Sequence, residues 1–97
     1  MPDLKWLYHV PNGGKRDVAT AARLKAAGVK RGVPDIALDV PKGKYHGLRI
    51  ELKYGKNKPT PQQQEWLDHL NECGYKAVVC YGAEEAIAVI KEYLKGE

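Results

Sequence analysis

The sequence has no long apolar run, few cysteines and no internal repeat. No stretch approaches the ~20 consecutive apolar residues that a membrane-spanning helix requires, so we expect no membrane association. The first ten residues include charged side chains, and we therefore expect no secretory signal peptide. The two cysteines, Cys73 and Cys80, form no Cys-x-x-Cys pair, which excludes a disulfide or zinc framework and favours reduced thiols in a cytoplasmic protein.

The chain of 97 residues has the size of one domain, which we assign to residues 1–97. A domain this small has a marginal hydrophobic core, so self-association would help it to bury apolar surface. Its net charge of +4 is unevenly distributed: residues 1–58 carry 13 Lys and Arg against 5 Asp and Glu, whereas residues 59–97 carry 3 against 7. The first part therefore offers a positive surface to a polyanion such as nucleic acid, although many solvated faces are equally basic.

Apolar periodicity predicts an α/β fold in which helices flank a mixed sheet. The predicted elements, in chain order, are an extended segment (6–10), a helix (18–27), two strands (35–40 and 48–53), a helix (61–72), a strand (75–81) and a helix (83–94). The first two strands alternate apolar and polar side chains and are separated by a turn near Gly43, which predicts an antiparallel hairpin.

The predicted hairpin carries two acids on its polar face. Asp35 and Glu51 fall either directly opposite or diagonal to each other, and the pattern permits both registers. Neighbouring carboxylates on a sheet repel each other unless a cation lies between them, and Mg²⁺ prefers such hard oxygen ligands. Lys53, on the same face, is placed to orient a water or to stabilise charge on a phosphate. This group suits metal-dependent phosphodiester hydrolysis; the alternative is a solvated strand face with weak surface ion pairs.

Other polar residues near the hairpin have two explanations each. Gln63 lies on the apolar stripe of its helix and can reach the hairpin site, or it can close a capping box with Thr60. The Gly-rich turn at residues 11–14 is typical of an anion-binding loop, with a simple loop as the alternative. Basic residues of this turn, and of two loops expected to flank the acids, are predicted to contact the nucleic-acid backbone. These residues are Lys15, Arg16, Lys42, Lys44, Lys56 and Lys58.

Three short motifs occur in a fixed order along the chain. They are Pro-Asp at residues 34–35, Glu-x-Lys at residues 51–53 and Gln-x-x-Trp at residues 63–66. With nearly the whole chain around them, they resemble the VRR-NUC (virus-type replication-repair nuclease) domains of the PD-(D/E)XK superfamily, in particular the short phage and prophage members. The resemblance implies a restriction-endonuclease-like core with a mixed sheet flanked by helices.

The resemblance also implies a Mg²⁺- or Mn²⁺-dependent nuclease that acts on DNA. By this resemblance Asp35 and Glu51 match the metal-binding acids, and the backbone carbonyl of Leu52 is a further ligand. Lys53 matches the catalytic lysine and Gln63 the family glutamine. Stand-alone members resemble homodimeric junction-resolving enzymes. This implies a homodimeric endonuclease of DNA repair, selective for branched DNA, in the cytoplasm of a bacterial host.

The resemblance departs from the family at the start of the chain. Relatives usually begin with a helix that supplies another acid to the site, whereas only residues 1–5 precede the first extended segment here. We therefore expect this site to lack that acid. Two alternatives to a nuclease follow: a nucleic-acid-binding module that retains the fold without catalysis, and a small interaction domain with a solvated hairpin face.

Overall fold

The computed structural model describes residues 2–10 and 32–96, and these form a mixed sheet with two α-helices. The elements are a 3-10 helix (Pro2–Trp6), β1 (Leu7–His9), β2 (Ile36–Leu38), β3 (Leu48–Lys53), α1 (Pro61–Glu72), β4 (Lys76–Tyr81) and α2 (Ala83–Leu94). The strand order is β1-β2-β3-β4. The first two pairs are antiparallel and the last is parallel, so the predicted mixed sheet is confirmed. The predicted helix over residues 18–27 lies outside the described residues.

β1 and β2 are shorter than the segments predicted for them, residues 6–10 and 35–40. β1 begins at Leu7 because Trp6 belongs to the 3-10 helix. β2 covers only Ile36–Leu38, and one cause is that the Leu52 N–H, which would extend the ladder by one step, is bonded to the Asp35 side chain. The hairpin turn lies at Gly43, which has a φ of 54° that favours glycine. The predicted antiparallel hairpin and its turn are therefore confirmed.

The two helices cover opposite faces of β4. Cys80 is fully buried in the apolar core that α2 completes. Ala77, three residues earlier in the strand, points to the other face. There its backbone N–H and C=O are both bonded to the Asn71 side chain of α1, at 3.0 Å each. The face that Ala77 shares with Glu51 and Lys53 is called the acid-bearing face below.

The core lies on the opposite side of the sheet from the acids. Its residues, nearly all apolar, are Leu38, Val40, Leu48, Ile50, Cys80, Ala86, Ile90 and Tyr93. Tyr93 donates a hydrogen bond of 2.6 Å to the carbonyl of Val40, which satisfies the one buried hydroxyl of this group. Because strand residues alternate between faces, this core determines which side chains of β2, β3 and β4 lie on the acid-bearing face.

Candidate metal-binding and catalytic site

The strand register places the two predicted acids opposite each other. Ile36 of β2 pairs with Ile50 of β3 in an antiparallel ladder. One further step along this ladder puts Asp35, in the bend before β2, directly opposite Glu51. The Asp35 carboxylate accepts a hydrogen bond of 2.9 Å from the backbone N–H of Leu52. The structure therefore selects the directly opposed register from the two that the pattern allowed.

Glu51 is a buried acid with an incomplete set of partners. Its side chain is only 2% exposed, so the alternative of a solvated strand face does not fit this residue. Oε2 lies 4.0 Å from the Lys53 ammonium, whereas Oε1 has no hydrogen-bond partner among the described residues. A buried polar atom without a partner costs free energy, and a catalytic role, a bound water or a bound ion is the usual explanation for one in a native structure. Among the described residues, this oxygen is therefore a candidate ligand for a cation.

The charge of Glu51 depends on pH in the physiological range. Burial raises the pKa of Glu51 from its ordinary 4.5 to about 8, and two further effects of the Asp35 carboxylate act in the same direction: it accepts a hydrogen bond from the protonated Glu51 and repels the ionised form. The Lys53 ammonium opposes the shift. At pH 7 the metal-free Glu51 therefore retains its proton, and a cation that binds between the acids must displace it.

The first turn of α1 lies against the chain that leads into Asp35. A Cβ added to Gly32 would approach the carbonyl carbon of Gln62 to 2.7 Å. In the same turn Gln63 Oε1 accepts a hydrogen bond of 2.8 Å from the Thr60 backbone, and its own N–H donates to Thr60 Oγ1 at 3.2 Å. The capping explanation of Gln63 is confirmed. Its role at the acids stays a prediction, and the cap does not use its amide NH₂ group.

We expect Gly32→Ala to destabilise the protein more than Gly55→Ala. Both glycines have positive φ values, 87° and 60°, so each alanine adds backbone strain; such strain costs on the order of 1–3 kcal/mol. Only at Gly32 does the new Cβ meet the backbone of α1, because Gly55 has open space around it. Urea denaturation should show a free energy of unfolding that is lower for Gly32→Ala by about 1 kcal/mol or more. Equal losses would contradict a tight contact.

The lysines of the hairpin turn are distant from the acids. Lys42 and Tyr45 form a bridge at the closed end of the hairpin, whereas Asp35 and Glu51 lie at its open end. The prediction that Lys42 and Lys44 flank the acids is therefore wrong, because the hairpin turn that carries them lies at the opposite end of the strands from Asp35 and Glu51. The contact of these lysines with nucleic acid stays a prediction.

The other predicted basic contacts divide into two groups. Lys56 and Lys58 are exposed and follow β3 directly, at the same end of the hairpin as the acids. Lys15 and Arg16 lie outside the described residues. A further cation on the acid-bearing face, Arg49, is already engaged: its Nη2 lies 3.1 Å from Asp39 and its guanidinium 4.7 Å from the Tyr75 ring. Lys53, Lys56 and Lys58 are thus three cations that lie within seven residues after Glu51 in the sequence.

The ligand count at the acids suits a cation that retains water. Within residues 2–10 and 32–96, no group of three or more His, Cys, Asp or Glu side chains could hold a metal ion. Two carboxylates and a backbone carbonyl would leave the remaining positions to water or phosphate, which is the usual arrangement for Mg²⁺.

Within residues 2–10 and 32–96, no helix has the length and apolar character to cross a membrane.

The sequence pattern missed one residue next to the candidate site. In the parallel β3–β4 ladder, Lys53 pairs with Tyr81, which is 42% exposed. Strand alternation predicts a face for Tyr81 within its own strand. It does not predict the register of β4 against β3, because that pairing joins segments separated by a whole helix.

Comparison with known proteins supports a nuclease-type fold. The model of the VRR-NUC domain family matches residues 2–84, which include all three motifs. A solved structure described as a VRR_NUC domain protein is 40% identical, with a TM-score of 0.80 over 96% of this chain and 70% of that chain. A search of curated proteins found no match. The fold expected from the motifs is confirmed.

Proposed function

The chain belongs to the VRR-NUC domain family, and on this premise we propose that it is a divalent-metal-dependent nuclease that hydrolyses phosphodiester bonds in DNA. The observation that supports the proposal is the buried Glu51 carboxyl group next to Asp35, whose Oε1 has no hydrogen-bond partner in the part of the chain that the structure describes. An ion pair with a purely structural role would satisfy its buried oxygens, because an unpartnered one lowers stability. An acid retained in this state is typical of a functional site.

Mg²⁺ or Mn²⁺ would be held by Asp35, Glu51 and the backbone carbonyl of Leu52. The fit rests on the donor set, since all three groups offer the hard oxygens that these ions prefer. When bound, such an ion lowers the pKa of a water molecule and polarises the phosphate. The hydrogen bond from the Leu52 N–H to Asp35 fixes the orientation of this carboxylate, as outer contacts do for metal ligands generally.

Lys53 supplies positive charge beside the acids. Its ammonium lies 4.0 Å from Glu51, and its side chain is only 14% exposed. In such a poorly solvated place an ammonium stabilises the negative charge that develops on a phosphate more strongly than it would in water. We assign Lys53 to the phosphate or to the attacking water, and Asp35 and Glu51 to the cation.

We further propose branched DNA as the preferred substrate. The exposed Lys56 and Lys58, which follow β3 at the end of the hairpin that carries the acids, support contact with a phosphate backbone, and the resemblance to junction-resolving enzymes supports the branched form. The homodimer and the cytoplasm of a bacterial host stay predictions from the same resemblance.

A cleavage assay tests the proposal. Purified protein is incubated with labelled flaps, junctions and linear duplex in Mg²⁺, in Mn²⁺ or in EDTA. We expect cleavage with either ion and none in EDTA. We expect a loss of more than about 100-fold in Asp35→Ala and Glu51→Ala, since even the outer partners of metal ligands contribute 10- to 100-fold. Glu92→Ala, which removes an exposed acid of α2, is the matched control and should retain activity.

Two results would contradict a metal-dependent nuclease. One is cleavage that survives EDTA or Glu51→Ala. The other is salt-sensitive DNA binding without cleavage under any metal condition, which would favour a nucleic-acid-binding module that retains the fold.

A further inference from the structure

The acid-bearing face opens at the carboxyl ends of β3 and β4. Glu51 is 2% exposed, and the Lys53 side chain, two residues later, is 14% exposed. Tyr81, the partner of Lys53 in the parallel ladder, is 42% exposed. Exposure therefore increases from the buried acid toward the ends of the two strands. A substrate that reaches Glu51 through this opening passes Lys53 and Tyr81.

The ring of Tyr81 shares the acid-bearing face with Lys53. Cys80, the preceding residue, is fully buried in the core on the opposite side, so alternation directs Tyr81 away from that core. Paired residues of neighbouring strands lie about 5 Å apart. The backbone N–H of Gly82 donates a hydrogen bond of 2.9 Å to the Lys53 carbonyl. This bond holds the chain at Tyr81 firmly beside Lys53.

Tyr81 keeps 42% of its surface exposed. Added Cβ atoms at Gly82 and Gly55 would meet no described atom within 4 Å, so among the described residues there is free space along the backbone that follows β4 and β3. No aromatic contact of Tyr81 with another described ring is present. The described structure thus leaves room for a flat group to approach the phenol ring, which lies one strand away from the lysine assigned to phosphate.

We propose that Tyr81 stacks on a nucleobase close to the scissile phosphate, and so determines which nucleic acids the site accepts. The inference rests on the proposed nuclease function. Stacking of a base on an exposed aromatic ring tolerates every sequence, because all bases have a π-face. It requires a base that is unpaired or displaced from its helix. Tyr81 therefore favours substrates with a single-stranded or distorted segment beside the cleaved bond.

The test compares Tyr81→Ala, Tyr81→Phe and the wild type on a single-stranded or flap substrate with a base removed at successive positions. Base–aromatic stacking contributes on the order of 5- to 150-fold in binding. We expect Tyr81→Ala to raise KM about 10-fold with kcat little changed, and Tyr81→Phe to behave as the wild type. When the base is removed at one position near the cleaved bond, the KM of the wild type should rise by a similar factor, whereas the KM of Tyr81→Ala should not change.

Tyr8 provides the matched control, because it is a tyrosine of β1 with 47% exposure. Tyr8→Ala should retain its sensitivity to the abasic position. The proposal is overturned if Tyr81→Ala responds to the missing base as strongly as the wild type does, or if Tyr8→Ala and Tyr81→Ala lose equal affinity. A wild type that binds DNA without cleaving it refutes the nuclease alone, and the same comparison is then made on Kd. A wild type that does neither refutes both proposals.

Discussion

Glu51→Gln is expected to raise the melting temperature of the metal-free protein at pH 8 and to flatten its dependence on pH. The folded pKa of Glu51 is about 8 against an ordinary 4.5. Below pH 4.5 both states are protonated, and stability does not depend on this group. Between pH 4.5 and 8 the unfolded chain ionises while the folded chain retains its proton, so stability falls by up to about 1.4 kcal/mol per pH unit. Glutamine does not ionise and removes this loss.

Thermal unfolding in EDTA at several pH values between 5 and 8 measures the effect. A difference on the order of 2–4 kcal/mol corresponds to roughly 10 °C or more in a domain of this size. Glu92→Gln, at an exposed position of α2, is the control and should follow the wild type. With Mg²⁺ at pH 8 the wild type should gain stability and Glu51→Gln should not. If the melting temperatures of the wild type and Glu51→Gln change with pH in the same way, Glu51 ionises with an ordinary pKa.

Lys53→Met is expected to lower the cleavage rate at saturating DNA by about 10²- to 10³-fold, the range found when one group that stabilises transition-state charge is removed. Methionine retains the unbranched stem and loses the charge. Because the Lys53 ammonium lowers the pKa of Glu51, its removal should raise this pKa further. The pH at which metal-dependent cleavage begins should therefore also increase.

Single-turnover kinetics across pH distinguish this role from simple DNA attraction. Lys56→Met is the matched control, since Lys56 is an exposed lysine at the same end of the hairpin. Lys56→Met should weaken DNA binding and reduce the slope of log affinity against log salt concentration by about one unit, as expected for the loss of one phosphate contact. The cleavage rate at saturating DNA should change little. If Lys53→Met and Lys56→Met change the same parameter by the same factor, Lys53 is only a backbone contact.

The elements with clear local signals could be predicted from the sequence. α1 covers the predicted residues 61–72, because Thr60 and Pro61 provide a cap and a first helical residue that few other positions could offer. β3 also has its predicted bounds. β2 is shorter than the predicted residues 35–40. Alternation indicates which side chains share a face, but it does not indicate where hydrogen bonding to a neighbouring strand ends.

The residues of the acid pair could be predicted, but their state could not. Both registers of the hairpin place Asp35 and Glu51 on one face, and the choice depends on the spacing that the turn at Gly43 enforces. The burial of Glu51 depends on which elements cover this face of the sheet, and the alternation of apolar and polar residues along a strand does not specify them. Tyr81 could not be predicted beside Lys53, because their pairing depends on packing across the whole β3–α1–β4 unit.

The apolar side of the sheet has a consequence for how activity can change. Cys80 has no exposed surface and sits one residue before Tyr81. A slip of β4 by one residue would turn its apolar side chains toward the acids and Tyr81 toward the core. Even a larger side chain at position 80 would shift β4 against β3 and alter the spacing between Lys53 and the ring. Substitutions of buried apolar residues can therefore change substrate preference. The sequence of the core side of the sheet is thus constrained by the function of the acid-bearing face.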